Sequence, residues 1–332
     1  MNNYKQLNKD IIYYLSSKNK ITFDVDKLNQ YKSYIAKNDL LDFFKIKIND
    51  IDYLKHISYM EREVKKIIDL FNVIENETGI CYFTMKSFLT FPYFDHDIDF
   101  IVTKSGYNVY KKALIKHGFK VKYDLSNIRE PLKMLFSSDK FFITPHLHSE
   151  ISWNGIIAAS KDDVYENRLV KNYDTYDIKT PSNTDEVNIA ICHFIFENYY
   201  IKLGELIYLR DLLDTEIDYE KIERTSEKYG YRKGVYLYFS YINALSSSLG
   251  LKIKVNPKYI HEVEINAEKP FPYYIPYKKL IPVYIENFKN GIKRKQYINL
   301  FRKLFTYTLV GYLWKYWLSI KRQKKFLSQF QD

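Results

Sequence analysis

The period of the hydrophobic pattern changes twice along this chain, and those two changes constrain its fold more than any other feature. Within residues 51–77, Tyr53, Leu54, Ile57, Met60, Val64, Ile67, Ile68 and Phe71 recur at three- and four-residue steps, the spacing of one helical face. Gly79 follows, in the position expected of a helix stop. From residue 80 to 153 short apolar segments replace that long period. Residues 81–85, 97–102, 119–123, 133–136 and 141–152 read as strands. A helix over 106–117, ended by Gly118, separates the second from the third, and Ser137, Ser138 and Asp139 form a turn between the last two. After Pro181 the helical period returns over 184–199, 203–214, 219–229 and 233–249. Residues 250–282 carry Pro257, Pro270, Pro272, Pro276 and Pro282 and read as an irregular linker.

One helix set between strands, with a later hairpin, implies an α+β chain with a small mixed sheet, N-terminal helices and a C-terminal helical region. The expected segments are a helical region over 1–78, an α/β domain over 79–181, a helical domain over 182–250, and a proline-rich linker with a helical tail over 251–332. A chain of 332 residues, 46% hydrophobic, buries a core without covalent staples. Cys81 and Cys192 have no metal-type spacing, which argues against a disulfide scaffold, a zinc ribbon or an iron–sulfur site. The first 20 residues are polar and lysine-rich, and no 18-residue apolar run occurs, so the expectation is a soluble cytoplasmic protein, with a membrane an unfavoured partner. The 33 tyrosines and 22 phenylalanines are not read as a stacking platform, because AT-rich coding produces the same enrichment.

The charge is uneven. The formal balance is +11, and eleven basic residues stand between Glu286 and Asp332 with no acid among them. They include Lys293, Arg294, Lys295, Arg302, Lys303, Lys321 and Arg322, interleaved with Tyr297, Phe301, Phe305, Tyr307, Trp314 and Trp317. Three readings fit a basic amphipathic tail: a packed terminal helix with a solvated face, a surface for RNA or another polyanion, or a helix lying on an anionic membrane.

The residues richest in chemistry are Lys86 and Ser87, followed by Asp95-His96-Asp97-Ile98-Asp99. In a strand Asp97 and Asp99 share a face, while Ile98, Phe100 and Val102 take the other. Adjacent carboxylates repel, and a divalent cation relieves that repulsion; oxygen ligands of this kind suit Mg²⁺ or Mn²⁺. His146, His148 and Glu150 alternate onto one face of the later strand, so Glu150 is the candidate third carboxylate, with His146 or His148 as a further ligand. Asp95 reads as loop structure in preference to a metal contact, His193 as a structural helix residue, and Arg210 with Asp211 as a helix-surface pair in preference to an interdomain contact. Arg129 and Lys133 lie beside the expected sheet and read as part of a solvated face, with phosphates the alternative partners.

TMKSFLTFPYFDHDIDFIV followed by HSEISW resembles the minimal nucleotidyltransferases of the DNA polymerase beta superfamily, and more narrowly their uncharacterised archaeal and bacterial branch. NTDEVNIAICHFIFENYYIKLGELIYLRDLL resembles the second domain of that branch, and the likeness spans about residues 50–215. The resemblance implies transfer of a nucleoside monophosphate from an NTP such as ATP to a hydroxyl acceptor, with Mg²⁺ or Mn²⁺ as cofactor and RNA among the candidate acceptors. It implies that Asp97 and Asp99 are the metal-binding pair, Glu150 the third carboxylate, and Ser87 the hydroxyl near the triphosphate. The family's usual Gly-Ser is here Lys86-Ser87, and Lys86 offers a point-charge phosphate ligand. Relatives often carry an aspartate just before the Leu-His pair, where this chain has His146. Either Glu150 supplies that oxygen, His146 ligates, or the site is impaired. The alternative is a non-catalytic nucleic-acid-binding protein on a degenerate transferase fold.

Overall fold

The computed structural model describes residues 4–16, 25–47, 51–86, 96–102, 106–124, 133–148, 150–153, 156–173 and 176–294. Ser87, Asp95, Arg129 and the basic tail from Lys295 onward lie outside the described residues. The chain divides into two compact units, one made of residues 1–41, 191–215 and 219–332, the other of 42–190 and 216–218. The four consecutive segments expected from the sequence are distributed over these two units.

Helices α1 (Tyr4–Ser16) and α2 (Val25–Lys37) open the first unit. The second unit then takes up α3 (Leu41–Lys47), α4 (Ile51–Thr78), β1 (Tyr82–Met85), β2 (Asp97–Val102), α5 (Tyr107–Lys116), β3 (Lys120–Asp124), β4 (Lys133–Ser137) and β5 (Thr144–His148). After them come β6 (Ile151–Trp153), β7 (Ile156–Ala159), α6 (Lys161–Glu166), β8 (Leu169–Tyr173) and β9 (Tyr176–Thr180). Gly79 takes a left-handed φ of +67°, which ends α4 where the pattern predicts.

Five strands form one mixed sheet in the order β1-β2-β5-β4-β3. Only β2 and β5 are parallel, with Asp99 opposite His146 and Ile101 opposite His148; the other neighbours are antiparallel. The period-2 pattern explains which face is dry. Ile98, Phe100 and Val102 of β2, Met134 and Phe136 of β4 and Leu147 of β5 are buried together with residues of α4 and α5. Phe100 is fully buried, its ring centroid 4.4 Å from Phe71 of α4 and 5.4 Å from Tyr110 of α5. Such burial stabilises by roughly 1.5–3 kcal/mol per side chain. The opposite face carries Asp97, Asp99, Lys133, His146 and His148.

The single strand expected over 141–152 is two strands. β5 ends at His148, and β6 begins at Ile151 in a separate hairpin with β7. The reason is hydrogen bonding: β5 is flanked by β2 and β4, whereas β6 takes its partners from β7.

The first unit continues with α7 (Asn183–His193), which starts in the second unit, then a π-helical turn (Phe194–Asn198), β10 (Tyr200–Ile201), α8 (Leu203–Leu213), α9 (Tyr219–Tyr229) and α10 (Arg232–Leu249). β11 (Tyr273–Tyr274), paired with β10, and α11 (Tyr277–Lys293) complete it. Its core is aromatic, with Tyr231, Tyr238, Phe239, Tyr241 and Tyr259 buried. Asn38, just past α2, accepts from Leu203 N at 3.1 Å through its side chain and from Gly204 N at 3.0 Å through its carbonyl, capping α8 from a distant part of the chain. The linker expected over 250–282 is instead packed structure: Tyr259, Phe271, Tyr273 and Ile275 are buried, and Pro282 lies inside α11. The prolines stiffen turns whose aromatic neighbours supply the burial that a linker lacks.

Candidate functional site

Asp97 and Asp99 enter the site side by side on β2, and parallel pairing brings His146 of β5 opposite Asp99. His146 Nδ1 stands 3.4 Å from Asp97 Oδ2 and 3.4 Å from Asp99 Oδ1. The two acids differ in setting: the Asp97 side chain is 39% exposed and that of Asp99 11%. His148 Nε2 lies 2.8 Å from Asp99 Oδ1, and Lys86 Nζ lies 2.9 Å from Asp99 Oδ2. Lys133 Nζ is 4.0 Å from Asp99 Oδ1, reaching it from β4, where it pairs in register with His148.

These neighbours settle the charge states. Burial by itself raises the Asp99 carboxyl, but the Lys86 ammonium, together with His148 and His146, outweighs it and holds the group well below the usual carboxylate range. Burial pushes His148 down to about 4, against the opposing pull of Asp99. His148 is therefore neutral near pH 7. An ionised carboxylate only accepts, so Nε2 carries the proton and donates it to Asp99. That bond fixes the Asp99 carboxylate while leaving Asp97 open to solvent.

Lys86 terminates β1 with a φ of +61°, a left-handed conformation that favours glycine. Its ammonium also lies 5.5 Å from the ring centroid of Trp153 on β6, within cation–π range.

The structure thus joins Lys86, Asp97, Asp99, His146 and His148, all named from the sequence, and adds Lys133, which the sequence reading assigned to a solvated face. Lys133 was recognisable as the residue out of phase with Met134 and Phe136 on a strand whose other face is core. Glu150 follows the end of β5, and its carboxylate pairs with Lys161 at 3.1 Å. The imidazole of His146 meets the two aspartates.

The donor types fit a divalent cation, since two carboxylate oxygens and an imidazole nitrogen share one face. They do not form a ready cage: among the described residues, no three His, Cys, Asp or Glu side chains are placed to hold one ion together. Lys86 already occupies one oxygen of Asp99.

The remaining sequence candidates lie in the first unit. His193 Nε2 pairs with Glu197 at 3.1 Å, and Arg210 pairs with Asp211 at 2.7 Å. Lys293 ends α11, and the Arg294 guanidinium lies 4.7 Å from the Tyr229 ring centroid while donating to Lys228 O at 3.4 Å. Among the described residues no helix is long and apolar enough to cross a membrane. Compared with family models, curated proteins and solved structures, the chain matches none.

Proposed function

We propose that the site performs nucleotidyl transfer from a nucleoside triphosphate to a hydroxyl acceptor. The observation that carries this reading is the meeting of Asp97, Asp99 and His146 on one face of the parallel β2–β5 pair, flanked by Lys86 and Lys133. It agrees with the resemblance of about residues 50–215 to the polymerase beta superfamily. In the reaction the acceptor oxygen bonds to the α-phosphorus, the bond from that phosphorus to the β-bridging oxygen breaks, and pyrophosphate leaves. Lys86 and Lys133 bring two positive charges to this face, a setting that suits the oxygens of a triphosphate. Asp97, the exposed acid, is positioned to take the acceptor's proton, while His148 keeps Asp99 in a fixed orientation. A Mg²⁺ or Mn²⁺ brought with the triphosphate to the two aspartates would supply charge neutralisation and activation of the hydroxyl.

The test is transfer of label from α-³²P-NTPs, with Mg²⁺ or Mn²⁺, to RNA, to protein or to the chain itself. Asp97→Asn is the informative variant, because Asp97 is the more exposed of the two acids and asparagine keeps its shape. Transfer by the wild type that Asp97→Asn lowers at least 100-fold supports the proposal; absence of NTP binding with either metal refutes it. A second reading, a nucleic-acid-binding protein without catalysis, is favoured by one observation: both oxygens of Asp99 already have protein partners. It expects RNA binding that falls steeply with salt and is lost when Lys295, Arg302, Lys303, Lys321 and Arg322 become glutamine, without dependence on Asp97.

A further inference from the structure

Helix α11 buries one face and exposes a second that is also apolar. Leu280, Val283, Asn287 and Gly291 turn inward and are buried, and Asn287 Nδ2 donates to Tyr229 O at 2.8 Å. Tyr277, Ile281, Ile285, Phe288 and Ile292 recur at steps of four, four, three and four, so they fall within about 80° of arc on a different side. Tyr277, Ile285, Phe288 and Ile292 are 39%, 49%, 40% and 44% exposed, and Ile281 is half-buried. A helix that packs on one core needs a single apolar stripe; the second runs along about 25 Å of solvent-facing surface. Lys278, Lys289 and Lys293, all exposed, fill the next sector of the helix. Glu286 is the sole acid between Tyr277 and Gln331, and its Oε2 accepts from Lys233 N at 2.8 Å.

We propose that the exposed stripe of α11 docks on an anionic lipid surface. The helix lies in the plane of the membrane, with its isoleucines and Phe288 about 5–10 Å into the boundary between headgroups and acyl chains and its lysines among the headgroup phosphates. Size and chemistry choose this occupant. Large apolar side chains bury roughly 150–250 Å² each when fully covered, so the four measured exposures leave on the order of 300 Å², well under the roughly 800 Å² per partner of a stable protein interface. A membrane sets no such threshold, because acyl contact and charge attraction add. Nucleic-acid phosphates would satisfy the lysines but offer nothing to Ile281, Ile285 and Ile292, whereas a lipid leaflet supplies phosphate and hydrocarbon at adjoining depths. The eleven basic residues between Glu286 and Asp332 carry the same sign onward from the helix, and each lysine or arginine that reaches the surface adds about fivefold in affinity. This placement needs no helix long and apolar enough to cross a membrane, and among the described residues there is none. It is independent of the transfer reaction.

The test is co-sedimentation of the full chain with vesicles of phosphatidylcholine containing about a third phosphatidylglycerol, beside vesicles of phosphatidylcholine alone. Ile285→Ser with Phe288→Ser removes the apolar contact at exposed positions, and Ile285→Ser with Ile292→Ser guards against local misfolding of the first pair. Lys278→Gln, Lys289→Gln and Lys293→Gln together remove the adjoining charge. The expected result is binding to the anionic vesicles at least tenfold tighter than to the neutral ones. Either serine pair and the glutamine triple should each weaken it at least tenfold, with thermal unfolding unchanged. Added salt should weaken binding by wild type more than by the glutamine triple. Several results overturn the proposal. One is no binding to the anionic vesicles. Another is binding that both serine pairs retain in full, which is adsorption by charge alone. Loss of thermal stability in both serine pairs would place the stripe against the chain itself. A dimer in sedimentation equilibrium that the serine pairs abolish would make a second copy the occupant, and equal loss of binding to a polyuridylate probe would make it RNA.

Discussion

Glu205 of α8 supplies a stability test independent of the candidate site. Its Oε1 accepts from the fully buried phenol of Tyr238 at 2.5 Å. Burial raises its carboxyl from 4.5 to about 7, opposed by that hydrogen bond and by Lys202, and assisted by Asp39. Lys202 is itself paired with Asp39 at 2.7 Å, so its charge is largely committed elsewhere. Between pH 4.5 and 7 the folded chain holds a proton on Glu205 that the unfolded chain has released. The resulting stability is complete below pH 4.5 and lost as pH rises through 7. A displacement from 4.5 to about 7 corresponds to an upper bound of about 3 kcal/mol, and the surface that the residue retains brings the expected value nearer 2 kcal/mol. Glu205→Gln keeps the acceptor for Tyr238 and removes the titration. Urea unfolding, followed by helical circular dichroism and by hydrogen exchange in α8 and α10, should give equal stabilities for the two proteins at pH 4.5. At pH 8 the variant should be more stable by about 2 kcal/mol. Equal stability at both pH values, or a variant less stable at pH 8, would refute the assignment of a protonated interior carboxyl.

Three further substitutions test the packing. Phe100→Ala empties the space shared with Phe71 and Tyr110 and should destabilise the sheet-bearing unit by about 3–5 kcal/mol, read as a lowered urea midpoint in Trp153 fluorescence once Trp314 and Trp317 are replaced. Gly234→Ala on α10 places a Cβ against Ile195 Cδ1 and 3.2 Å from Val283 Cγ1; despite alanine's better helix propensity, it should destabilise by about 1–3 kcal/mol, measured by thermal unfolding. Ser160→Ala removes the side-chain acceptor for Asp163 N, 3.2 Å away at the start of α6, and should cost about 1 kcal/mol, visible as faster hydrogen exchange confined to that helix.

The sequence made some of this architecture legible and hid the rest for identifiable reasons. α4 and β2 were readable because each keeps one period from end to end, so a local pattern reports a global face. The aspartate pair was readable for the same reason, being out of phase with Ile98, Phe100 and Val102. The break after His148 was not: Leu147, Ile151 and Trp153 keep a period-2 phase straight through two strands, and only the choice of hydrogen-bond partner separates them. Glu150 was therefore placed on the wrong side of a boundary that side-chain pattern does not mark. The packing of 250–282 was hidden because its prolines suggest a linker, while its buried aromatic residues are spaced irregularly and show no period. The left-handed backbone of Lys86 had no local signature, since lysine seldom adopts it.

Two ammonium groups approach the buried Asp99: Lys86 Nζ stands 2.9 Å from Oδ2 and Lys133 Nζ 4.0 Å from Oδ1. Their approach explains how Asp99 stays ionised under burial without any metal, because Lys86 provides the compensation that burial demands. Lys86, with the hydrogen bond from His148, thus keeps this acid charged and oriented.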